Sequence, residues 1–281
     1  MNKTSDRLDD RARRKTDFSR ALAALAVTVL FVLPLFFMLA GSLRRPGLAP
    51  PDGFEWIPAA RTWSNYSFAG DIVPLARYAL NSLVVVAVAV PLTVLIASWA
   101  GFAIATAEPR TRKRLVIASV VALMVPLSAL WVARAALYEA AGIIDTPLAL
   151  MAPALMATTP FYVLIFALAY GRVPKHLYEA AELDGLSPLK VWARVAFPLA
   201  RPAAFAVAVL AFAWHWSNFT DALLYITSDE RSTLPLGLRD LYSLEPTNHP
   251  ILLAGAVLVT LPAVAAFLSA QRAFFTKTLE V

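Results

Sequence analysis

The chain has 281 residues, 59% of them hydrophobic and 16% charged, with a mean hydropathy of +0.64 and a formal net charge of +6. This is too apolar for an ordinary soluble domain and marks an integral membrane protein. The lack of Cys excludes a disulfide frame, thiol chemistry and thiolate metal sites, and three scattered His (His176, His215, His249) make no metal cluster. Lys and Arg gather at the ends of apolar runs, as membrane topology requires, so the positive charge does not point to nucleic acid.

In chain order, residues 1–20 are polar and carry Arg11, Arg13, Arg14, Lys15 and Arg20 just before the first apolar run, which reads as a disordered or surface-lying cytoplasmic tail. The run from Ala21 to Gly41 is long enough to cross a ~30 Å hydrocarbon core. It exceeds a usual signal-peptide core and lacks a small-x-small cleavage site before Leu43-Arg44-Arg45, so it reads as an uncleaved span. Residues 42–76, with Pro46, Pro50, Pro51, Pro58, Pro74 and the aromatics Phe54, Trp56, Trp63, Tyr66 and Phe68, predict an ordered outer loop. Further runs at 79–107, 115–137, 148–170, 196–226 and 251–270 bring the expected number of transmembrane helices to six. Pro34, Pro91, Pro126, Pro153, Pro160 and Pro262 fall within the spans, where neighbouring helices can satisfy the freed carbonyls. They suit either a protein that changes shape or simple helix packing.

With the N-terminus inside, segments 1–20, 108–114, 171–201 and 271–281 hold 18 of the 25 Lys and Arg, against 7 elsewhere. That bias places both termini in the cytoplasm. The division is then a tail at 1–20, a six-helix domain at 21–273 with a cytoplasmic loop at 171–201, and a C-terminal tail at 274–281.

The 171–201 loop is too polar and helix-prone for a plain connector. Pro174 can open a helix that Leu177 to Leu183 propagate, and Gly185 suits a left-handed cap. Ser187-Pro188 then starts a second helix that Pro198 is expected to break. The expected form is a helix-turn-helix at the membrane surface. Placing Ala180 and Ala181 on one face would let the first helix lie close in a partner's cleft, with Glu179 and Asp184 offering carboxylates to partner Arg or Lys. A solvated amphipathic connector is the competing reading.

The chain has no Gly-x-x-x-x-Gly-Lys-Ser/Thr loop, no His-Glu-x-x-His and no Gly-x-Ser-x-Gly, so it is expected to be non-catalytic and to bind no ATP by a P-loop of its own. Transport energy would come from an ion gradient or another subunit. An ion-coupled carrier needs titratable groups in the membrane, and the spans offer only Arg134, His215 and Asp221. Arg134 reads as an interfacial residue or a partner of Glu139, with substrate contact as the other reading, and His215 as a hydrogen-bonded interior residue. In the stretch Phe212-Ala-Trp214-His-Trp216-Ser-Asn218-Phe-Thr-Asp221, the indoles could stack on sugar rings while Asn218 and Asp221 hold hydroxyls. Trp214 and Trp216 fit an interfacial aromatic belt equally well.

The loop resembles that of binding-protein-dependent ABC import permeases, whose pattern is Glu-Ala-Ala, three residues, Gly, nine residues, then Ile-x-Leu-Pro. Here Glu179-Ala180-Ala181 is followed by Gly185 and then by Val195, Phe197 and Pro198, with only Ile to Val and Leu to Phe changed. Asn65-Tyr66, Asn81-Ser82, Gly142-Ile143-Ile144-Asp145-Thr146, Trp216-Ser217-Asn218-Phe219, Thr233-Leu-Pro235-Leu-Gly237 and Gln271-Arg272 are similar to the MalG-type carbohydrate permease along almost the whole chain. Two departures are Trp216-Ser217-Asn218-Phe219 for the usual Trp-Asn-Asp-Phe, and Phe274 to Val281 for a Gly-rich tail.

The resemblance implies an all-α type I ABC importer permease in the inner membrane of a prokaryote. It would work with a second homologous permease, two cytoplasmic ATPases that carry the ATP and Mg, and an extracytoplasmic solute-binding protein. Glu179, Ala180, Ala181, Asp184, Gly185 and Pro198 would couple it to the ATPase. Trp214, Trp216, Asn218, Asp221 and Arg134 are the candidate substrate pathway. Alternatives are the same machinery with glycerol phosphate, a polyol or an amino sugar as cargo, for which Arg134, Arg231 and Arg239 leave room, or an ion-coupled secondary carrier, or a structural scaffold.

Overall fold

A computed structural model describes residues 3–51, 53 and 55–278, and every regular element among them is helical. Arg20–Ser42, Leu75–Thr106, Pro147–Gly171 and His249–Leu268 are each long and apolar enough to cross a membrane. Two bent pairs, Pro109–Leu123 with Leu127–Ala140 and Pro188–Leu199 with Arg201–Trp216, raise the count from four to six if each is one span. The chain is thus an all-helical, multi-pass membrane protein.

The third and fifth runs are sharply bent rather than continuous helices. The third bends by 89° at Met124–Pro126, because Pro126 has no N–H to give and restricts the residue before it. Pro34, Pro91 and Pro262, by contrast, lie inside continuous helices. The fifth run bends by 82° near Ala200. Its main helix stops at Trp216, where Asn218 caps a new short helix.

Two compact units form, Met1–Ile72 with Leu241–Leu258, and Val73–Asp240 with Val259–Val281. In the first, α1 (Lys3–Ser42) starts well before the apolar run, so of the disordered and surface-lying forms expected for the tail the backbone from Lys3 onward is helical rather than disordered. No Gly or Pro interrupts residues 3–33, and good helix formers dominate there. The expected ordered loop follows. Asn65, on α2 (Ser64–Ile72) and wholly buried, donates from Nδ2 to the Ser42 and Arg44 carbonyls at 2.7 and 2.6 Å. Arg44 pairs with Glu55 at 2.9 Å, and Gly47, at φ +79°, donates its N–H to Asn248 Oδ1 at 2.8 Å. Phe54 lies outside the described residues.

The second unit is arranged around α3 (Leu75–Thr106). Against it pack α4 (Pro109–Leu123), α6 (Pro147–Met151), α7 (Pro160–Gly171) and α11 (Arg201–Trp216), while α5 (Trp131–Ala140) packs on α12 (Phe219–Tyr225). Lipid removes the hydrophobic drive between helices, so close packing of small residues must hold them together. Ala97, Ala167, Ala196, Ala200 and Ala211 accordingly share the core with Tyr162, Phe166 and Tyr170. Backbones approach closely at Gly101, where a Cβ would stand 2.5 Å from Phe166 Cβ, 2.8 Å from Ala167 N and 2.9 Å from Val163 O.

Between α7 and α11, within the 171–201 loop, lie α8 (Lys175–Leu183), α9 (Pro188–Val191) and α10 (Phe197–Leu199). The chain finishes with α13 (Leu234–Leu244) and α14 (His249–Thr278). Residues 279–281 of the proposed C-terminal tail lie outside the described residues. Gly101→Val should separate α3 from α7 at a cost of about 1–3 kcal/mol; a lowered melting temperature and an aggregated elution profile in detergent are the expected readings.

Candidate functional site

The 171–201 loop folds as the expected helix-turn-helix. At the end of α8, Gly185 adopts φ +75° and its N–H bonds the Glu182 carbonyl at 2.9 Å, while Leu186 N–H reaches the Ala181 carbonyl at 3.1 Å. This pair of bonds closes the helix with a left-handed residue that glycine reaches without a Cβ penalty. The second segment differs from expectation. Pro198 does not break it, because the wide turn at Trp192–Ala196 loosens the backbone ahead of the ring and helical geometry continues through α10.

The two alanines do not share a face. Ala181 is buried, whereas Ala180 is exposed with Glu179, Asp184 and Gly185, since successive helical residues turn by about 100°. The small-residue seam therefore serves this chain's own packing at Ala181. Two residues not singled out in the sequence complete the outward face: Leu183 is 89% exposed and Leu189 56% exposed. Large apolar side chains at the tip of a polar loop are the signal that pointed to them.

The inward face is tied to the spans. Trp192 donates its indole N–H to Ser98 Oγ at 2.9 Å, and Ser98 also bonds Tyr170 OH at 2.5 Å, joining the loop to α3 and α7. Tyr178 donates to the Tyr170 carbonyl at 3.2 Å and sets its ring edge-on to Phe102. Burial, with Tyr170 nearby, pushes the Tyr178 phenol up to about 12, so it remains a donor at physiological pH. None of Ser98, Tyr170, Tyr178 and Trp192 belongs to the loop motif.

Of the five candidate pathway residues, Arg134, Asn218 and Asp221 are brought together on one another, whereas Trp214 and Trp216 pack on other neighbours. Arg134 faces Asp221 through two hydrogen bonds of 3.1 and 2.8 Å, in place of the expected Glu139. The Tyr138 and Tyr225 rings stand 5.5 and 5.2 Å from its guanidinium carbon. Asn218 donates to Asp221 Oδ2 at 2.9 Å and accepts from Asp221 N–H as a helix cap. Trp216 is buried, stacked on Phe212, and gives its indole N–H to the Val259 carbonyl at 3.1 Å. Trp214 is half-buried, at 4.7 Å edge-on to His215.

His215 is the expected hydrogen-bonded interior residue, with Nε2 3.2 Å from Thr158 Oγ1. Thr158 bonds Thr93 Oγ1 at 2.6 Å and lies in a break in the fourth run, where Ala157 and Thr158 take φ +58° and +61°. Left-handed geometry at residues with a Cβ is strained and is held here by those hydrogen bonds.

Other motifs staple loops. Asn81 Nδ2 bonds the Glu230 and Ser232 carbonyls, both at 2.9 Å, and Ser82 Oγ accepts the Leu234 N–H at 3.0 Å. Asp145 receives the Thr227 and Ser228 N–H groups at 2.9 Å, the Ser228 hydroxyl, and Arg231. These bonds, led by Ser228, hold the Asp145 carboxyl down to about 2 from an ordinary 3.8. Arg134, Arg231 and Arg239 thus each face a carboxylate, that of Arg239 being Asp240 at 3.3 Å.

The chain belongs to the family of binding-protein-dependent transport system inner membrane components, which it matches over residues 2–278. It is 28% identical over 261 residues to the arabinooligosaccharides transport system permease protein AraQ of Bacillus subtilis, covering 90% of each chain. It is 30% identical over 207 residues to the lactose transport system permease protein LacG of Rhizobium radiobacter, covering 74% of each. Its fold matches a chain of a bacterial ABC transporter that imports the acidic polysaccharide alginate, with a TM-score of 0.71 at 18% identity over 93% of this chain and 97% of that one.

The depressed Asp145 carboxyl stabilises the 227–232 loop above an ordinary carboxylate pKa of about 3.8, and that contribution is lost as pH falls through about 2. Asp145→Asn should therefore melt below the parent at pH 7, and the difference should shrink as the melts are repeated from pH 4 towards pH 2.

Proposed function

We propose that this chain is the permease subunit of an ATP-driven importer that takes up a carbohydrate delivered by an extracytoplasmic solute-binding protein. The family supplies the transport role, and the relatives named for arabinooligosaccharides and lactose supply the cargo class. The observation that carries the coupling step is the two-faced loop: Glu179, Leu183 and Asp184 point outward, while Trp192 and Tyr178 are bonded to α3 and α7. A cytoplasmic ATPase that takes the outward face into a cleft can, on closing around ATP and Mg, move the loop and rock the spans. The working assembly pairs this chain with a second homologous permease and two ATPases. The positive-charge bias supports cytoplasmic termini and a cytoplasmic loop.

The paired arginines favour a neutral sugar or polyol over glycerol phosphate, because an anionic cargo would have to displace Asp221, Asp145 or Asp240 from its cation. Within the candidate pathway, half-buried Trp214 supplies the stacking surface. Arg134, Asp221 and Asn218 hold the wall of the path, and Trp216 packs behind it.

In proteoliposomes of the assembled transporter, Glu179→Lys, Gly185→Asp and Leu183→Asp should each abolish uptake and binding-protein-stimulated ATP hydrolysis while the subunit still inserts. Normal uptake by these variants would overturn the coupling role. Trp192→Phe removes one hydrogen bond worth ~1 kcal/mol, so stimulation should fall roughly five-fold with the ATPase still co-purifying.

A further inference from the structure

A cavity of about 600 Å³ opens between the α3–α4 turn and the α7–α8 turn, where three apolar runs end together. Its walls divide by chemistry. Arg112, Lys113 and Lys175 bring positive charge, Val116 and Ile117 an apolar flank, and Glu179 and Glu182 of α8 the facing carboxylates. None of the three cations has a carboxylate within ion-pair distance among the described residues. Arg112 lies over Gly171, where a Cβ would come within 2.7 Å of its Nη2, so the guanidinium is seated in the wall by the lack of a side chain there.

The cavity's depth is set by sequence. Arg110, Arg112, Lys113 and Arg114 are basic and the run from Leu115 onward is apolar, so the cavity sits where lipid phosphates meet hydrocarbon. None of the described side chains of α4 is buried, and Ile117, Val120, Val121 and Met124 stand 52, 48, 56 and 78% exposed, an apolar rail leading away from the cations. A soluble phosphate would satisfy the cations alone, whereas a phosphate carrying acyl chains satisfies the cations and the rail.

We propose that this cavity binds an anionic glycerophospholipid of the phosphatidylglycerol type, with its phosphate on Arg112, Lys113 and Lys175 and its chains along α4. Its glycerol hydroxyls meet Glu182, an acceptor that an ethanolamine headgroup would engage without offsetting the surplus positive charge of the lining. Because that carboxylate belongs to α8, occupancy sets the resting position of the coupling helix and links ATP hydrolysis to the anionic lipid content of the cytoplasmic leaflet. This rests on the cytoplasmic placement of the loop under the proposed function.

The test is photocrosslinking of a phosphatidylglycerol analogue to the assembled transporter in phosphatidylcholine nanodiscs, with the labelled peptides mapped by mass spectrometry. Label should fall on residues 105–117 and 170–182, and unlabelled phosphatidylglycerol, but not phosphatidylethanolamine, should displace it. Losing two cations, each worth roughly a five-fold preference near an anionic headgroup, should lower labelling roughly twenty-fold in the Arg112→Gln, Lys113→Gln double variant. Val116→Trp, which fills the cavity without changing charge, should also lose the label. Stimulation of ATP hydrolysis by phosphatidylglycerol should disappear in both variants. Equal displacement by phosphatidylethanolamine, displacement by inorganic phosphate or chain-free phosphoglycerol, or labelling unchanged in both variants would overturn the proposal. Labelling is read without transport, so a complex that labels as expected but takes up no sugar would count against the import reading and leave the lipid site standing.

Discussion

Ser98 holds the second unit and its loop in one mechanical frame. It is wholly buried on α3, receives the Trp192 indole N–H, and shares a 2.5 Å hydrogen bond with Tyr170. In a low-dielectric surround such a network is strong when complete and costly when a member is missing. Around it, Gly101 and the small alanines bring α3 against α7. The loop is thereby bonded directly to the packed pair α3 and α7.

The bilayer imposes the second constraint. Backbone groups in hydrocarbon must be bonded within the chain, so a helix can break there only where side chains or neighbouring backbone take over. Three interruptions carry such a substitute. Asn218 caps the helix that restarts after Trp216, and the Thr93–Thr158–His215 series holds the left-handed residues of the fourth run. Tyr225 sends its hydroxyl to the Trp131 carbonyl beside the bend of the third. The breaks are thus supported irregularities of a kind transport proteins place beside their pathways.

The two sets of loops use polar residues in opposite ways. Asn65, Asn81 and Asp145 spend their side chains on carbonyls and N–H groups of segments distant in the chain, stapling one loop to another element. Glu179 and Asp184 remain exposed, beside Leu183 with most of its surface in the open.

The sequence by itself determined the membrane class, the six apolar runs, the helix-turn-helix with its Gly185 cap and the family, because these rest on hydropathy, turn chemistry and motif spacing, all local in the chain. It did not reveal that Pro126 ends a helix while Pro91 does not, since neighbouring contacts decide whether a freed carbonyl can be satisfied. It placed Ala180 and Ala181 together, where the packing of α8 buries only the second. It left Arg134 beside Glu139, five residues away, whereas the partner is Asp221, 87 residues on. Pairings of that separation, like the seat of Trp192 on Ser98, exist only once the helices are packed, and tertiary structure alone decided them.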